Sequence, residues 1–89
     1  MKKIYKYELS LQEDQILALP EGAKVLSVNY DCGGFLCLWA LVNPIATTFE
    51  DVKIKILGTG WELHNIDSEV YFTTVIDANF VWHIFIRKL

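Results

Sequence analysis

The run formed by Gly58, Thr59, Gly60 and Trp61 has the residue types best suited to hold a ligand. Two glycines let the backbone bend and expose N–H groups that bind anions, and a tryptophan can stack on a base or a sugar. A phosphate-binding loop also needs a lysine and a helix directly after its glycines, and this sequence predicts neither there. Isolated glycines in strand patterns usually mark bulges or turns, so a purely structural role is the main alternative.

Two lysines, Lys53 and Lys55, precede this run and share one face of a predicted strand. Their ammonium groups would neutralise an anion held at the glycines. Outward-facing charges on a strand also prevent aggregation, which is the competing explanation for both lysines. The sequence therefore predicts a small anionic, nucleotide-like ligand whose binding residues are Gly58, Thr59, Gly60, Trp61, Lys53 and Lys55.

The remaining polar residues form no recognisable catalytic or metal-binding pattern. His64 and His83 are the only histidines, and neither has a cysteine or a second histidine at metal-ligand spacing. No nucleophile elbow is present, and the carboxylates are scattered through predicted turns. We therefore predict no catalytic residue, no metal and no cofactor, and a protein that is not an enzyme. His83 is interpreted as a hydrogen-bonded core or interface residue.

Turn residues divide the chain into short stretches of β-type sequence. A start resembling a capping box leaves a short helix as an alternative at residues 10–19, but only about two turns fit before Pro20. Residues 45–51 are predicted to be a loop. The predicted strands cover residues 4–9, 15–19, 24–30, 35–42, 52–57, 70–76 and 80–87. The sequence thus predicts one all-β domain spanning residues 1–89, a small antiparallel sandwich or barrel of six or seven strands.

Two of these strands, residues 35–42 and residues 80–86, are apolar at almost every position. Alternate side chains of a strand point to opposite faces, so each strand needs cover on two sides. A chain of 89 residues usually forms two layers around one core, which leaves a spare apolar face. Hydrophobic residues make up 53% of the chain, a fraction typical of obligate oligomers. We therefore predict a homo-oligomer.

The two cysteines, Cys32 and Cys37, flank a predicted hairpin turn. A two-residue turn at Gly33 and Gly34 would place Cys37 opposite Tyr30 and keep the sulfurs apart. A turn shifted by one residue, or a longer loop, would instead bring them opposite each other, but phenylalanine resists the positive φ of the shifted turn. The sequence therefore predicts two free thiols, as expected in a reducing compartment.

Charge and hydropathy limit the classes of partner. The net charge of −3 gives no general attraction to nucleic acid or to an anionic membrane surface. The longest apolar run is far shorter than the roughly 20 residues of a membrane-spanning helix. The charged start of the chain has no apolar stretch behind it, unlike a signal peptide. We predict no nucleic acid, no membrane, and a location in the cytoplasm where the chain is made.

Several stretches, taken in order, resemble a family of small uncharacterised bacteriophage proteins. They are IYKYEL at residues 4–9, LPEGAKVLSV at 19–28, CLWALVNP at 37–44, LGTG at 57–60 and VWHIF at 81–85. The resemblance covers nearly the whole chain and carries no catalytic residues. It implies a phage origin and an accessory role in the host cytoplasm. Many phage proteins of this size counter host defence by binding a host protein or by sequestering a nucleotide signal.

These observations lead to one functional prediction and two alternatives. The prediction is a homo-oligomeric phage accessory protein that acts in host takeover or counter-defence by sequestering a small anionic ligand. The first alternative is an inhibitor that binds a host protein through an exposed apolar face, and the second is a minor structural protein of the virion. A cavity with polar groups would favour sequestration, and a flat apolar patch would favour the inhibitor.

Overall fold

Seven strands and no helix make up the chain, in a computed structural model that describes all of residues 1–89. The strands are β1 (Lys3–Glu8), β2 (Asp14–Pro20), β3 (Lys24–Tyr30), β4 (Leu36–Val42), β5 (Phe49–Gly58), β6 (Tyr71–Ile76) and β7 (Val81–Lys88). All neighbouring strands are antiparallel. The predicted all-β fold is confirmed, with seven strands arranged as a sandwich.

The strands form two sheets that pack face to face. The first sheet has the order β1-β4-β3, and the second has the order β2-β5-β7-β6. The chain passes between the sheets three times, after β1, after β2 and after β4. No helix is present that could span a lipid bilayer.

The core lies between the inner faces of the two sheets, as the two-residue period of the strands requires. In β5 the inner positions Val52, Ile54 and Ile56 are all buried, and Lys53 and Lys55 share the opposite face, as predicted. In β4 the inner positions are likewise fully enclosed. The buried core comprises Leu9, Leu19, Val28, Leu36, Leu38, Ala40, Val42, Val52, Ile54, Ile56, Val75 and Ile84.

Five strands differ from their predicted bounds by one residue, and β5 differs by three residues at its start. Strand β5 begins at Phe49, so the loop predicted for residues 45–51 is wrong at its end. Residues 49–51 pair with residues 18–20 of β2, and this pairing overrides the polar local sequence Glu50-Asp51. Strand β2 starts one residue earlier than predicted, at Asp14, and no helix forms at residues 10–19.

The hairpin between β3 and β4 has a longer loop than predicted. The amide of Asp31 donates to the carbonyl of Phe35 at 2.8 Å, and Cys37 lies opposite Asn29. The predicted two-residue turn is therefore wrong. The longer loop is held by the Asp31 carboxylate, which accepts hydrogen bonds of 2.9 Å from the amides of Gly33 and Phe35. Both cysteines are free thiols as predicted, one exposed and one buried.

Part of the outer face of the first sheet has no second layer over it. Ile4 on β1 lies opposite Leu41 on β4, and Trp39 follows on the same face. Ile4 is 60% exposed, and the other two side chains are partly exposed. Ile4, Trp39 and Leu41 together form the outer patch. This is the spare apolar face that the sequence predicted for residues 35–42.

Part of the outer face of the second sheet is covered by the chain itself. Residues 59–70, the cover segment, run from the end of β5 to the start of β6. Leu57 and Lys55 point outward from β5, yet they are only 4% and 7% exposed. Leu63 and Ile66 of the cover segment line a small cavity with them. The outer face of β5 is thus covered in part by the chain itself.

Candidate functional site

A tight turn forms where β5 ends, at the glycine-rich run identified in the sequence. The amide of Trp61 donates to the carbonyl of Gly58 at 3.3 Å, and Gly60 has a φ of 85°. A β-turn with positive φ at its third residue favours glycine there. The Trp61 amide is therefore used within the turn.

The side chain of Trp61 folds back over Gly58. A Cβ at Gly58 would lie only 2.6 Å from Cε2 and Nε1 of the Trp61 ring, so no other residue fits there without moving the indole. The same ring meets Trp82 of β7 edge to face, with centroids 5.9 Å apart and an interplanar angle of 78°. Trp61 is nevertheless 48% exposed. One surface of its ring is packed and another is open to solvent.

A third aromatic ring completes an open groove at this end of the second sheet. Phe80 stacks on Trp82 with centroids 5.3 Å apart and an interplanar angle of 19°. Trp82 is fixed from the core side, because its indole N–H donates to the Tyr30 hydroxyl at 2.9 Å. The space has a volume of about 300 Å³, and none of its lining residues is charged. This aromatic groove is lined by Gly58, Thr59, Trp61, Asn79, Phe80, Val81 and Trp82.

A chain of hydrogen bonds starts at the groove and runs across the outer face of the second sheet. The hydroxyl of Thr59 lies 2.7 Å from Nε2 of His83. Nδ1 of His83 lies 3.1 Å from the hydroxyl of Thr74, which lies 2.6 Å from that of Tyr71. His83 is thus hydrogen-bonded on both ring nitrogens, but it is half-buried on the outer face of the sheet and is not part of the core.

The two lysines expected to attract an anion are paired with carboxylates. Nζ of Lys55 lies 2.8 Å from Asp14 and 3.5 Å from Glu13. The hydrogen bond to Asp14 raises the pKa of Lys55 and lowers that of Asp14. Nζ of Lys53 lies 3.2 Å from Glu69. Neither lysine lines the aromatic groove, although Lys55 lines the separate cavity of about 100 Å³ under the cover segment.

Glu69 attaches the cover segment to the sheet. Its side chain is only 2% exposed, and Oε1 lies 3.2 Å from Nζ of Lys53 and 3.2 Å from Nε of Arg87. Burial raises the pKa of Glu69, but the hydrogen bonds from Arg87 and Lys53 outweigh it, so the pKa lies below 4.5. Oε2 is buried and has no hydrogen-bond partner. The carboxylate therefore stays charged between two basic side chains.

The structure brings together only part of the site predicted from sequence. Gly58, Thr59 and Trp61 line the groove, and Gly60 shapes the turn beside it. Lys53 and Lys55 are held elsewhere. The site also contains Phe80, Trp82 and Asn79, which the sequence prediction left out. Phe80 and Trp82 are two positions apart, a spacing that puts side chains on one side of an extended chain and that could have indicated them. No three His, Cys, Asp or Glu residues are grouped to hold a metal ion.

Comparison with known families matches the complete chain to one model. Residues 1–89 match a family described as Domain of unknown function (DUF7352). The chain belongs to the DUF7352 family. No curated protein and no solved structure matched it. The DUF7352 description states no activity, so the aromatic groove is the feature of this chain that bears most directly on function.

Proposed function

We propose that the chain is an accessory binding protein, without a catalytic step, that holds the flat part of a small ligand in the aromatic groove. The observation that carries the proposal is the convergence of Trp61, Phe80 and Trp82 on one open space of about 300 Å³. That volume is at the lower end of the range for small-molecule pockets. Stacking of a base on an aromatic side chain contributes about 1–3 kcal/mol and tolerates different bases.

The charges around the groove define which part of a nucleotide-like ligand is recognised. No charged residue lines the groove, and Lys53 and Lys55 are already neutralised by carboxylates. Binding a phosphate through these lysines would require the ligand to compete with Asp14, Glu13 and Glu69. The proposal therefore places the base between the aromatic rings and leaves the anionic part in solvent.

The biological setting of this activity is proposed from the sequence resemblance alone. A small phage protein in the host cytoplasm that removed a nucleotide signal would act in host takeover or counter-defence. In that setting the protein needs affinity and abundance but no turnover.

An NMR titration tests the groove. Adenosine, adenosine monophosphate and ribose 5-phosphate would be added separately, while the indole N–H signals of Trp39, Trp61 and Trp82 are followed. Adenosine and adenosine monophosphate should bind with similar affinity and shift the signals of Trp61 and Trp82. Ribose 5-phosphate should shift neither signal, and the signal of Trp39 on the other sheet should stay unchanged. Shifts caused by ribose 5-phosphate alone, or no shifts at Trp61 and Trp82, would contradict the proposal.

Matched variants locate the binding. Phe80 and Phe49 are both exposed, at 53% and 59%, but only Phe80 lines the groove. Phe80→Ala and Trp61→Ala should each weaken adenosine binding, by about 1–3 kcal/mol if a stacking contact is lost. Phe49→Ala should leave the affinity unchanged. Equal effects of Phe80→Ala and Phe49→Ala would rule out the groove as the site.

A second proposal concerns assembly, and the outer patch supports it. Ile4, Trp39 and Leu41 present exposed or partly exposed apolar surface on one face of the first sheet. Contiguous exposed apolar surface on a soluble protein usually marks an interaction site. We propose that two copies associate through this face, and that binding of a host protein there is the alternative outcome. The groove lies on the other sheet, so both proposals can hold together.

A further inference from the structure

Thr59 is a residue of the aromatic groove, and its hydroxyl belongs to the hydrogen-bond chain behind the groove. Thr59 lines the groove, and its Oγ1 lies 2.7 Å from Nε2 of His83. Beyond His83 the chain continues to Thr74 at 3.1 Å and to Tyr71 at 2.6 Å. Three hydroxyls and one imidazole are thus connected in a line, and the direction in which protons are donated along it decides what Thr59 offers a ligand.

A neutral imidazole allows two directions of donation. In the outward direction, Tyr71 donates to Thr74, Thr74 donates to Nδ1, and the protonated Nε2 donates to Thr59. The proton of the Thr59 hydroxyl is then free to point into the groove. In the inward direction, Thr59 donates to Nε2, and the free proton is that of Tyr71. Only the outward direction gives the groove a hydrogen-bond donor.

The chemistry of the terminal groups favours the outward direction. A phenol is more acidic than an aliphatic alcohol, so it is the better donor and the poorer acceptor. The contact between Tyr71 and Thr74 should therefore have the phenol as donor. Nδ1 of His83 is then the remaining partner of the Thr74 hydroxyl in the structure, and donation of the Thr74 proton to Nδ1 leaves the ring proton on Nε2. An imidazolium donates from both nitrogens, so protonation of His83 would also leave the Thr59 proton free.

We propose that His83, held by Thr74 and Tyr71, fixes the Thr59 hydroxyl as a hydrogen-bond donor facing the aromatic groove. The groove then selects flat heterocycles with an acceptor, such as a ring nitrogen or a carbonyl oxygen, at their edge. Nucleobases belong to this class, and flat hydrocarbons do not. His83 is a positioning residue because it acts on the ligand only through Thr59. This inference rests on the proposed function of the groove.

The first test needs no ligand. NMR of the imidazole nitrogens in the free protein, above neutral pH, reports which ring nitrogen of His83 carries the proton. The Nε2–H tautomer is expected, and Tyr71→Phe should reduce its population, because the phenol proton that sets the direction is removed. An Nδ1–H tautomer in the unmodified protein would overturn the inference whatever the fate of the proposed function.

The second test uses pyridine and benzene, two rings of the same shape of which only pyridine has an acceptor. The measured quantity is the ratio of their dissociation constants, compared between variants so that the different hydrophobicity of the probes cancels. Thr59→Val keeps the shape of the side chain and removes the donor, so it should shift the ratio about fivefold towards benzene, the effect of one typical hydrogen bond.

Two variants of β6 separate positioning from general structural effects. Thr74→Val interrupts the chain without touching the groove, so it should shift the ratio in the same direction as Thr59→Val. Thr73→Val is the matched control, because Thr73 is the neighbouring residue and is not part of the chain. Equal shifts for Thr73→Val and Thr74→Val, or an unchanged ratio in Thr59→Val, would overturn the inference. Failure of both probes to bind near Trp61 would instead contradict the groove itself.

Discussion

The indole of Trp61 occupies the space that a side chain at Gly58 would need. An added Cβ would lie 2.6 Å from two atoms of the ring, whereas an added Cβ at Gly60 would meet nothing within 4 Å. Gly60 is needed for a different reason, its φ of 85°. The first glycine permits a close approach and the second permits a backbone conformation. Their replacement should therefore have different consequences.

Gly58→Ala should displace Trp61 and leave the sandwich folded, because the ring is half exposed and can move outwards. The expected result is a red shift of tryptophan emission and loss of the edge contact with Trp82. Gly60→Ala should keep the emission and lower the free energy of unfolding by about 1–2 kcal/mol through backbone strain. Thermal unfolding followed by fluorescence measures both effects. Unchanged emission in Gly58→Ala would show that the close approach does not hold Trp61.

Ile4→Lys should reduce self-association without loss of the fold, because Ile4 is 60% exposed in the outer patch. The matched control is Ile16→Lys, which changes an isoleucine of 63% exposure on the outer face of the second sheet. Light scattering at micromolar concentration should give a smaller mass for the first variant only. A monomer of 10.3 kDa for the unmodified protein would contradict the assembly proposal.

Glu69→Gln should loosen the cover segment. The change leaves Lys53 and Arg87 without their shared carboxylate, and we expect a loss of about 1–3 kcal/mol in unfolding free energy, reduced by the partial exposure of both partners. Hydrogen exchange of residues 59–70 should increase. Glu62→Gln alters an exposed carboxylate of the same segment and should change neither quantity. Equal effects of the two variants would show that the buried ion pair does not hold the segment.

The hairpin carboxylate of Asp31 should make stability sensitive to acid. The hydrogen bond from Lys6, with those from the amides of Phe35 and Gly33, lowers the pKa of Asp31 from 3.8 to about 2. A lowered folded-state pKa stabilises the fold above 3.8, and that contribution is lost as the pH falls towards 2. Asp31→Asn should melt at a lower temperature than the unmodified protein at neutral pH, and the gap should narrow over this range. A difference in melting temperature that stays constant between pH 3.8 and pH 2 would contradict the lowered pKa of Asp31.

The two thiols should differ in reactivity. Cys37 is completely buried, and burial raises the pKa of its thiol, whereas Cys32 is exposed. Alkylation of the native protein should modify Cys32 only, and both residues should react after denaturation without reductant. Intact mass measurement distinguishes these states. Native modification of Cys37 at the rate of Cys32 would show that the outer face of β4 opens readily.

The sequence was sufficient to predict the parts of the fold that depend on local pattern. Apolar and polar residues alternate in β5, and such a strand buries its apolar side. Val52, Ile54 and Ile56 therefore point inward. The sequence does not predict the start of β5, because Glu50 and Asp51 are polar and residues 49–51 become a strand only through their distant partner β2. The hairpin loop was mispredicted because the Asp31 side chain, and not the glycines alone, sets its length.

The candidate site was only half predictable for a related reason. The backbone freedom of Gly58 and Gly60 is a property of the residues themselves and is visible in the sequence. The fate of Lys53 and Lys55 depends on the carboxylates Asp14 and Glu69, which other parts of the chain bring to them. Likewise, His83 meets Thr59 only because β7 lies beside β5. Charge and hydrogen-bond partners across strands are set by the tertiary fold.

The order of strands in the second sheet has a consequence for the course of folding. Strand β5 pairs with β2 on one side and with β7 on the other, and β7 is the last strand of the sandwich to be synthesised. Pairings that wait for distant segments are intrinsically slow. Because Trp61 and Trp82 meet only after β7 has docked, the contact between the two indoles marks a late step. A burst of hairpin formation followed by a slower change in indole emission should therefore accompany refolding, and no ligand could bind the groove before that change is complete.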